Sequence, residues 1–531
     1  MPTRPGEPPL QESLLAARPS RSERRLAARQ AGKIQPPQHT GPLPPLRLPL
    51  LAILLFAAFC LLPPVRSQPA LLASFAFAAA ALALVFLFLR HAVNRARRAL
   101  SYQFVPVRVH YVQLVMHCCI FAYWGMYWDE VYRHIPLILA QVVFLYALDM
   151  MVCWSRRDQW ILGFGPFPIV FSTNLFLWFR DDWFWLQFLM IATIVLCKEF
   201  IRWDRDGRRA HIFNPSAIAL FLFSAGLLLT NATGISWGAE IAGTMQRPPL
   251  IYIELFALGL IVQGLFSVTL VTLSAASVLY VFGIAFTHST GEYYFVDSNL
   301  HAAVFLGLHL LVTDPATSPR RMTGKIIFGG LYGAAVIALY AVLQQAHAPQ
   351  FYDKLLCVPL LNLMVRALDR GSTAFATRFH PLRLLERWGP RRLNFLHMAI
   401  WAALFTVMVS TGFLGTGLSK KVDCENNSAT ACLDYGKAMA EVSKLRGGEA
   451  LGRACNLGLP EGCQALTAFI RKNGRKVFSE ACNDGDNVAC FLSGWVLSKG
   501  LGVTRNDEQA IPYFEKACNA GFAPACEVRA R

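Results

Sequence analysis

The chain is built from long apolar runs separated by short polar breaks, with little of the period-two alternation that half-buried strands require. Two runs, near Leu48–Leu62 and Ala70–Leu89, are joined by a short proline-containing turn. From Tyr102 about ten more follow, centred near Met116, Phe144, Leu175, Ile191, Leu220, Leu258, Val278, Leu306, Val336 and Leu361. A last run covers Phe395–Phe413. Crossing a bilayer takes about 20 apolar residues in one helix, so several of these runs are too short to cross as a straight helix. The pattern predicts an all-α fold: a polytopic α-helical membrane protein of about 13 spans with a soluble tail of α/α hairpins.

Charge orients the spans. Basic loops at Arg90–Arg98, Arg156–Arg157, Lys198–Arg209, Arg320–Lys325 and Arg366–Arg392 all fall on one side if the N-terminus is cytoplasmic. Acid-bearing loops at Asp129–Glu130, Asp181–Asp182 and Glu292–Asp297 then fall on the other. The expected compartment is a bacterial cytoplasmic membrane, with the C-terminal tail in the periplasm. The expected divisions are a disordered basic arm over 1–46, a two-span hairpin over 47–92 and a membrane core over 101–370. An amphipathic basic linker over 371–393, lying on the membrane surface, a last span over 394–413 and the tail over 420–531 complete the chain. No cleavable signal peptide is expected, because the first apolar run starts late and no small-residue cleavage site follows it.

Composition agrees with a membrane protein. Hydrophobic residues make up 55% of the chain and charged ones 16%. The net charge of +17 comes from cations clustered at the ends of spans, without the aromatic-interleaved basic face of a nucleic-acid binder.

The core divides into two groups of about five spans, which would run in opposite senses across the membrane as inverted repeats. In each group the third span is interrupted. Ile161–Phe179 contains Gly163, Gly165, Pro166, Pro168 and then Ser172-Thr173-Asn174. Its counterpart, Ala302–Val312, stops at Thr313-Asp314-Pro315-Ala316-Thr317-Ser318-Pro319. Proline prevents helix continuation, and hydroxyls next to it satisfy the freed backbone groups. An acid beside a broken helix is how membrane proteins build ion and small-molecule sites, although a capped inter-helix loop would use Asp314 equally well. The stretch His211-Ile212-Phe213-Asn214-Pro215 has the same logic, with Asn214 as helix cap and Pro215 as first helical residue.

Together, HIFNP and TDPATSP, the latter followed by Gly324-Lys325-Ile326-Ile327-Phe328-Gly329, resemble the NqrB/RnfD family. Its members are membrane components of the sodium-translocating NADH:quinone reductase and of the related Rnf electron-transfer complex. The resemblance runs from about Gln103 to Asp369. It implies a protein carrying FMN or riboflavin on an electron and ion path, with further electron-transfer subunits as partners. It places Asn214, Asp314, Thr317 and Ser318 at the cofactor. In that family one flavin is attached through phosphate to the threonine of a Ser-Gly-Ala-Thr motif. Here the nearest match is Thr230-Asn231-Ala232-Thr233, which keeps Ala-Thr and makes Thr233 the candidate, with Leu227 where the family has aspartate.

Glu254, Glu292 and Asp314 are the acids expected on an ion path, because an intramembrane acid is costly unless paired or hydrated. Lys198-Glu199 reads equally as a mutually neutralising pair. His301 and His309, eight apart, would share a helical face, as haem ligands do; core histidines do so as well. No hydrolase constellation, phosphate loop or metal motif is present.

The tail carries eight cysteines in four pairs of one spacing: Cys424/Cys432, Cys455/Cys463, Cys482/Cys490 and Cys518/Cys526. Three share the frame Ala-Cys-Asn-x-Gly, and Gly500–Cys518 resembles the Sel-type, tetratricopeptide-like repeat. Eight residues join the end of one helix to the start of the next, so each pair is expected to form a disulfide within itself. Metal binding competes weakly, since no CxxC and no histidine after His397 occur. The favoured function is flavin-associated electron transfer or coupled ion transport. The alternatives are a redox-inactive small-molecule transporter on the same scaffold, like stand-alone relatives near enediyne clusters, or an envelope scaffold recruiting a protein partner through its tail.

Overall fold

The computed structural model describes residues 45–205, 208–290, 293–295, 298–378, 389–414, 423–440 and 443–529. Nearly all of the basic arm, Glu292 and the middle of the linker lie outside them. Among the described residues the chain is overwhelmingly helical, and its only sheets are two pairs of four-residue strands. The first membrane-facing element is a hairpin of α1 (Arg47–Ala58) and α2 (Pro69–Ala96). α2 buries Leu71, Phe75, Ala78, Leu82, Phe86, Leu89 and Val93, a stripe at helical spacing. Its opposite face is as apolar, with Phe77, Leu84 and Phe88 more than two-thirds exposed. A helix apolar all round that buries only one face meets lipid on the other.

After β1 (Ser101–Phe104) come α3 (Arg108–Gly125) and α4 (Glu130–Arg156), then β2 (Gln159–Leu162), which pairs in parallel with β1. The nine-residue α5 (Pro166–Asn174) is followed by α6 (Trp185–Phe200), a hairpin of β3 (Arg202–Arg205) and β4 (Arg208–His211), and α7 (Pro215–Leu229). Beyond the short α8 (Gly238–Thr244) lie α9 (Ile251–Phe266), α10 (Thr269–Thr290) and a second nine-residue helix, α11 (Ala302–Leu310). α12 (Met322–Gln345), α13 (Asp353–Arg378) and α14 (Pro390–Ser410) close the membrane part. Five helices, α2, α4, α10, α12 and α14, are long and apolar enough to cross a membrane. This is the structure of a membrane protein.

The packing of α3–α7 is matched by that of α9–α13. Within the first group α3 meets α5, α4 meets α5 and α6, and α6 meets α7; within the second, α9 meets α11, α10 meets α11 and α12, and α12 meets α13. Between the groups α3 lies on α9 and α7 on α13. The α10–α12 contact is close because α12 presents glycine there: a Cβ on Gly329 would meet the Val271 carbonyl oxygen at 2.2 Å, and one on Gly333 the Ala275 oxygen at 2.8 Å. Small residues four apart let two helix backbones touch, which is how helices bind each other where water gives no hydrophobic drive.

α5 ends where the chain unwinds through Leu175–Arg180. The freed Phe179 N–H is taken up by a cluster of three buried amides, Gln141, Asn174 and Gln187. Asn174 donates to Gln141 Oε1 at 2.7 Å, Gln187 donates to the same oxygen at 3.1 Å, and Gln187 Oε1 accepts the Phe179 N–H at 3.2 Å. Such pairing is the condition for irregular backbone at membrane depth.

The tail is a run of helices: α15 (Ala429–Met439), α16 (Lys444–Asn456), α17 (Pro460–Asn473), α18 (Lys476–Asn483), α19 (Asn487–Lys499), α20 (Asp507–Asn519) and α21 (Ala523–Arg529). Disulfides join Cys424 to Cys432, Cys455 to Cys463, Cys482 to Cys490 and Cys518 to Cys526. Three residues after each first cysteine stands a left-handed residue: Asn427, Gly458, Gly485 and Gly521, with φ from 66° to 100°. That conformation ends one helix and turns the chain into the next, which explains the glycine of the Ala-Cys-Asn-x-Gly frame.

Candidate functional site

Both proline motifs act as helix ends, and the structure ties them to each other. Asn214 Oδ1 accepts the Ser216 and Ala217 N–H groups at 3.1 and 3.2 Å, capping α7. Its amide nitrogen donates to the Leu311 carbonyl at 3.0 Å, where α11 has just unwound. Asp314 holds its own turn: Oδ1 accepts the Ala316 N–H at 3.1 Å, and Oδ2 accepts Thr317 Oγ1 at 3.0 Å and faces His211 Nε2 at 3.2 Å. Ser318 Oγ donates to the Asp314 carbonyl at 2.8 Å.

Three residues outside the motifs complete the brace. Asn362, buried on α13, accepts from the Asn214 N–H at 3.0 Å and donates to the Thr317 carbonyl at 3.2 Å. Arg205, only 8% exposed, donates to the carbonyls of Ala316 and Ser318 at 2.7 and 2.9 Å and to Asp369 at 2.8 Å. Asp369 also accepts the Arg320 N–H at 2.9 Å. A charged guanidinium on two carbonyls and a carboxylate fixes the loop's position firmly.

The brace borders a cavity of about 400 Å³, within the range of small-molecule sites. Its walls carry four histidines, His110, His117, His211 and His309, with Lys198 and Asp314. Ser172 and Ser216 meet across its floor at 2.7 Å. Lys198 also reaches Asp149 at 3.3 Å. Glu199 is engaged by Arg157 at 2.5 Å and Arg202 at 2.7 Å, so Lys198 and Glu199 have separate partners.

Of the residues singled out in the sequence, Asn214 and Asp314 line this cavity, while Thr317 and Ser318 are buried behind it with their hydroxyls turned onto Asp314. Thr233 opens a short turn beyond the far end of α7, about 22 Å from Asn214 along a 15-residue helix. Glu254 stands in the first turn of α9 with a buried carboxylate oxygen lacking any protein partner, and Glu292 lies outside the described residues. His301 and His309 sit at opposite ends of α11 and line different cavities; His301 faces a chamber of about 280 Å³ with the buried pair Asp353 and Lys354. The motifs do not point to His110, His117, Lys198, Asn362 or Arg205 as site residues; for His117 and Asn362 a signal is present, a polar residue inside an apolar run.

A larger cavity, about 670 Å³, lies in the tail and includes Arg446, Glu449, Arg453 and Phe491 in its walls. Burial, with Asp486 nearby, pushes the Glu449 carboxyl up to about 7 against the opposing pull of Arg446.

Comparison with protein-family models, curated proteins and solved structures returns no match to this chain.

Proposed function

We propose that this chain is a membrane component for flavin-associated electron transfer coupled to ion movement, as the resemblance to NqrB/RnfD implies. The observation that carries the reading is the brace between HIFNP and TDPATSP around a cavity walled by four histidines. On this reading the matched packing of α3–α7 and α9–α13 is that of two inverted repeats, each with one half-helix, within a protein of about 13 spans. The basic strand pairs and loops are cytoplasmic and the disulfide-bonded tail, a set of Sel-type repeats, is periplasmic, where disulfides persist. The tail's large groove is where a protein partner would dock. FMN or riboflavin occupies the cytoplasmic cavity, Thr233 being the attachment point for a second flavin at the periplasmic end of α7.

A second reading, a transporter without redox cofactors, is favoured by Leu227 and by the remoteness of Thr233 from the cavity. Fluorescence after denaturing electrophoresis, with flavin absorbance of the purified native protein, separates the two. Covalent fluorescence lost in Thr233→Val supports the first. A protein devoid of flavin by both measures sinks it and leaves the transporter.

A further inference from the structure

His117 on α3 and His309 on α11 are each 2% exposed and belong to different halves of the core. His117 Nδ1 lies 2.6 Å from the Gln113 carbonyl, and His309 Nδ1 lies 2.8 Å from the Phe305 carbonyl. A carbonyl only accepts, so in both rings Nδ1 carries the hydrogen and Nε2 keeps its lone pair. Both Nε2 atoms are buried and have no hydrogen-bond partner in the protein. An unmatched buried acceptor is costly, and two on rings that line shared space ask for a common donor.

That space exists. Both rings wall the cavity of about 400 Å³, and both also wall a second cavity of about 10 Å³, whose lining includes Met116, Ile120, Leu255 and Gly259. The smaller volume is about that of one water molecule. Gly259 allows the His309 ring to lie there, since a Cβ at that position would meet its Cδ2 at 2.1 Å. The same helix, α9, carries Glu254 one turn before Leu258, with Oε2 buried and unmatched. Glu254 and the wall of the small cavity thus share α9, and the two imidazoles wall both cavities.

We propose that His117 and His309, bridged by one water, form a proton relay between Glu254 and the four-histidine cavity. The proposal rests on the ion-movement reading above and names the ion as a proton. A hydrated proton arriving from the Glu254 side protonates the first imidazole at Nε2. That ring, now bearing hydrogen on both nitrogens, returns the Nε2 proton to the bridging water, which passes one to the second Nε2. The second ring then releases its Nε2 proton to water in the large cavity, so only N–H and O–H bonds form and break, no electrons are exchanged, and each ring ends neutral. Nδ1 stays on its helix carbonyl throughout, so no ring flip is needed. On the far side the proton meets His110, Lys198, His211 and Asp314, which face the same cavity.

The test uses the full-length protein in vesicles loaded with a pH-sensitive dye, under a valinomycin-imposed potassium diffusion potential, with sodium uptake followed in parallel. Wild type should acidify the vesicles, more slowly in D₂O. His117→Gln and His309→Gln, which still hydrogen-bond to water yet do not titrate, should fall to the rate of protein-free vesicles while remaining monodisperse. Gln variants that conduct protons like wild type overturn the relay. Sodium uptake without acidification overturns the relay but leaves the ion-movement reading standing, and absence of both overturns both. A haem absorption band or a stoichiometric metal in the purified protein, lost in either variant, would also overturn it by giving the lone pairs another partner.

Discussion

His211 Nε2 meets Asp314 Oδ2 at 3.2 Å, joining two motifs 103 positions apart in the chain. The contact holds the start of α7 against the unwound end of α11, and Asn214 repeats the connection through its bond to Leu311. Asn214→Ala removes a helix cap, worth about 1 kcal/mol, and strands the Leu311 carbonyl, while the backbone N–H at 214 still reaches Asn362. The sum should be roughly 2–4 kcal/mol, read as a lowered unfolding midpoint in detergent. Asp314→Asn keeps the shape but replaces an acceptor by a donor facing Ala316 N–H or Thr317 Oγ1. Both variants should lose transport or electron transfer and still insert into the membrane. Wild-type behaviour of both would reduce the brace to architecture.

The helix breaks are legible because proline and glycine act locally: Pro166, Pro215, Pro315 and Pro319 can be read without knowing what surrounds them. The partners of those breaks are not. Asn362 lies in an apolar run and Arg205 in a basic loop, and each owes its role to a contact more than 100 positions away. The motifs place Thr233 and Asn214 in one cofactor group, whereas α7 holds them at its opposite ends. The pairing of His117 with His309 is equally hidden, since which way a helix turns its histidine is settled by packing.

Two glycines of similar helical setting should respond in opposite ways to alanine. Gly329→Ala drives a methyl against the Val271 carbonyl, and the contacting atom is backbone, so α10 and α12 must part. Gly226→Ala on α7 meets nothing within 4 Å and gains helix propensity, about 0.8–1.0 kcal/mol in soluble hosts. Unfolding midpoints in detergent should fall for the first and hold or rise for the second. A harmless Gly329→Ala would show that the close α10–α12 contact is not needed.

The tail should lose stability as the pH rises. Glu449 has its folded value raised to about 7, so the folded tail holds a proton that the unfolded chain, near the ordinary glutamate value of about 4.3, has already released. Its contribution is complete below about pH 4.3 and is lost as pH climbs through 7, a change of roughly 1–3 kcal/mol after allowance for partial exposure. Glu449→Gln mimics the protonated form. Pulse proteolysis of the full-length protein in urea should find the variant tail more resistant than wild type at pH 8 and equal to it at pH 4. Parallel curves for the two proteins across that range would remove Glu449 as the cause.

Each disulfide closes a loop across the turn between successive helices, which makes its energetic role local. In the chain-entropy model a bridge between residues eight apart restricts the unfolded chain by about 2–3 kcal/mol. Cys482 and Cys490 are both almost fully buried beside Leu492, Val496 and Phe478, so Cys490→Ser also places a hydroxyl in an apolar setting and leaves a free thiol opposite. The double variant Cys482→Ala/Cys490→Ala removes that complication and isolates the loss of the bridge. It should speed proteolysis between Lys476 and Lys499 while leaving α15–α17 protected, because those helices retain the bonds Cys424–Cys432 and Cys455–Cys463. Peptide mapping without reduction should recover Cys518 linked to Cys526 and no bond between different pairs. Loosening that spreads evenly over the whole tail would show instead that the helices fold as a single cooperative unit, with the bridges adding to a common stability rather than to their own hairpins.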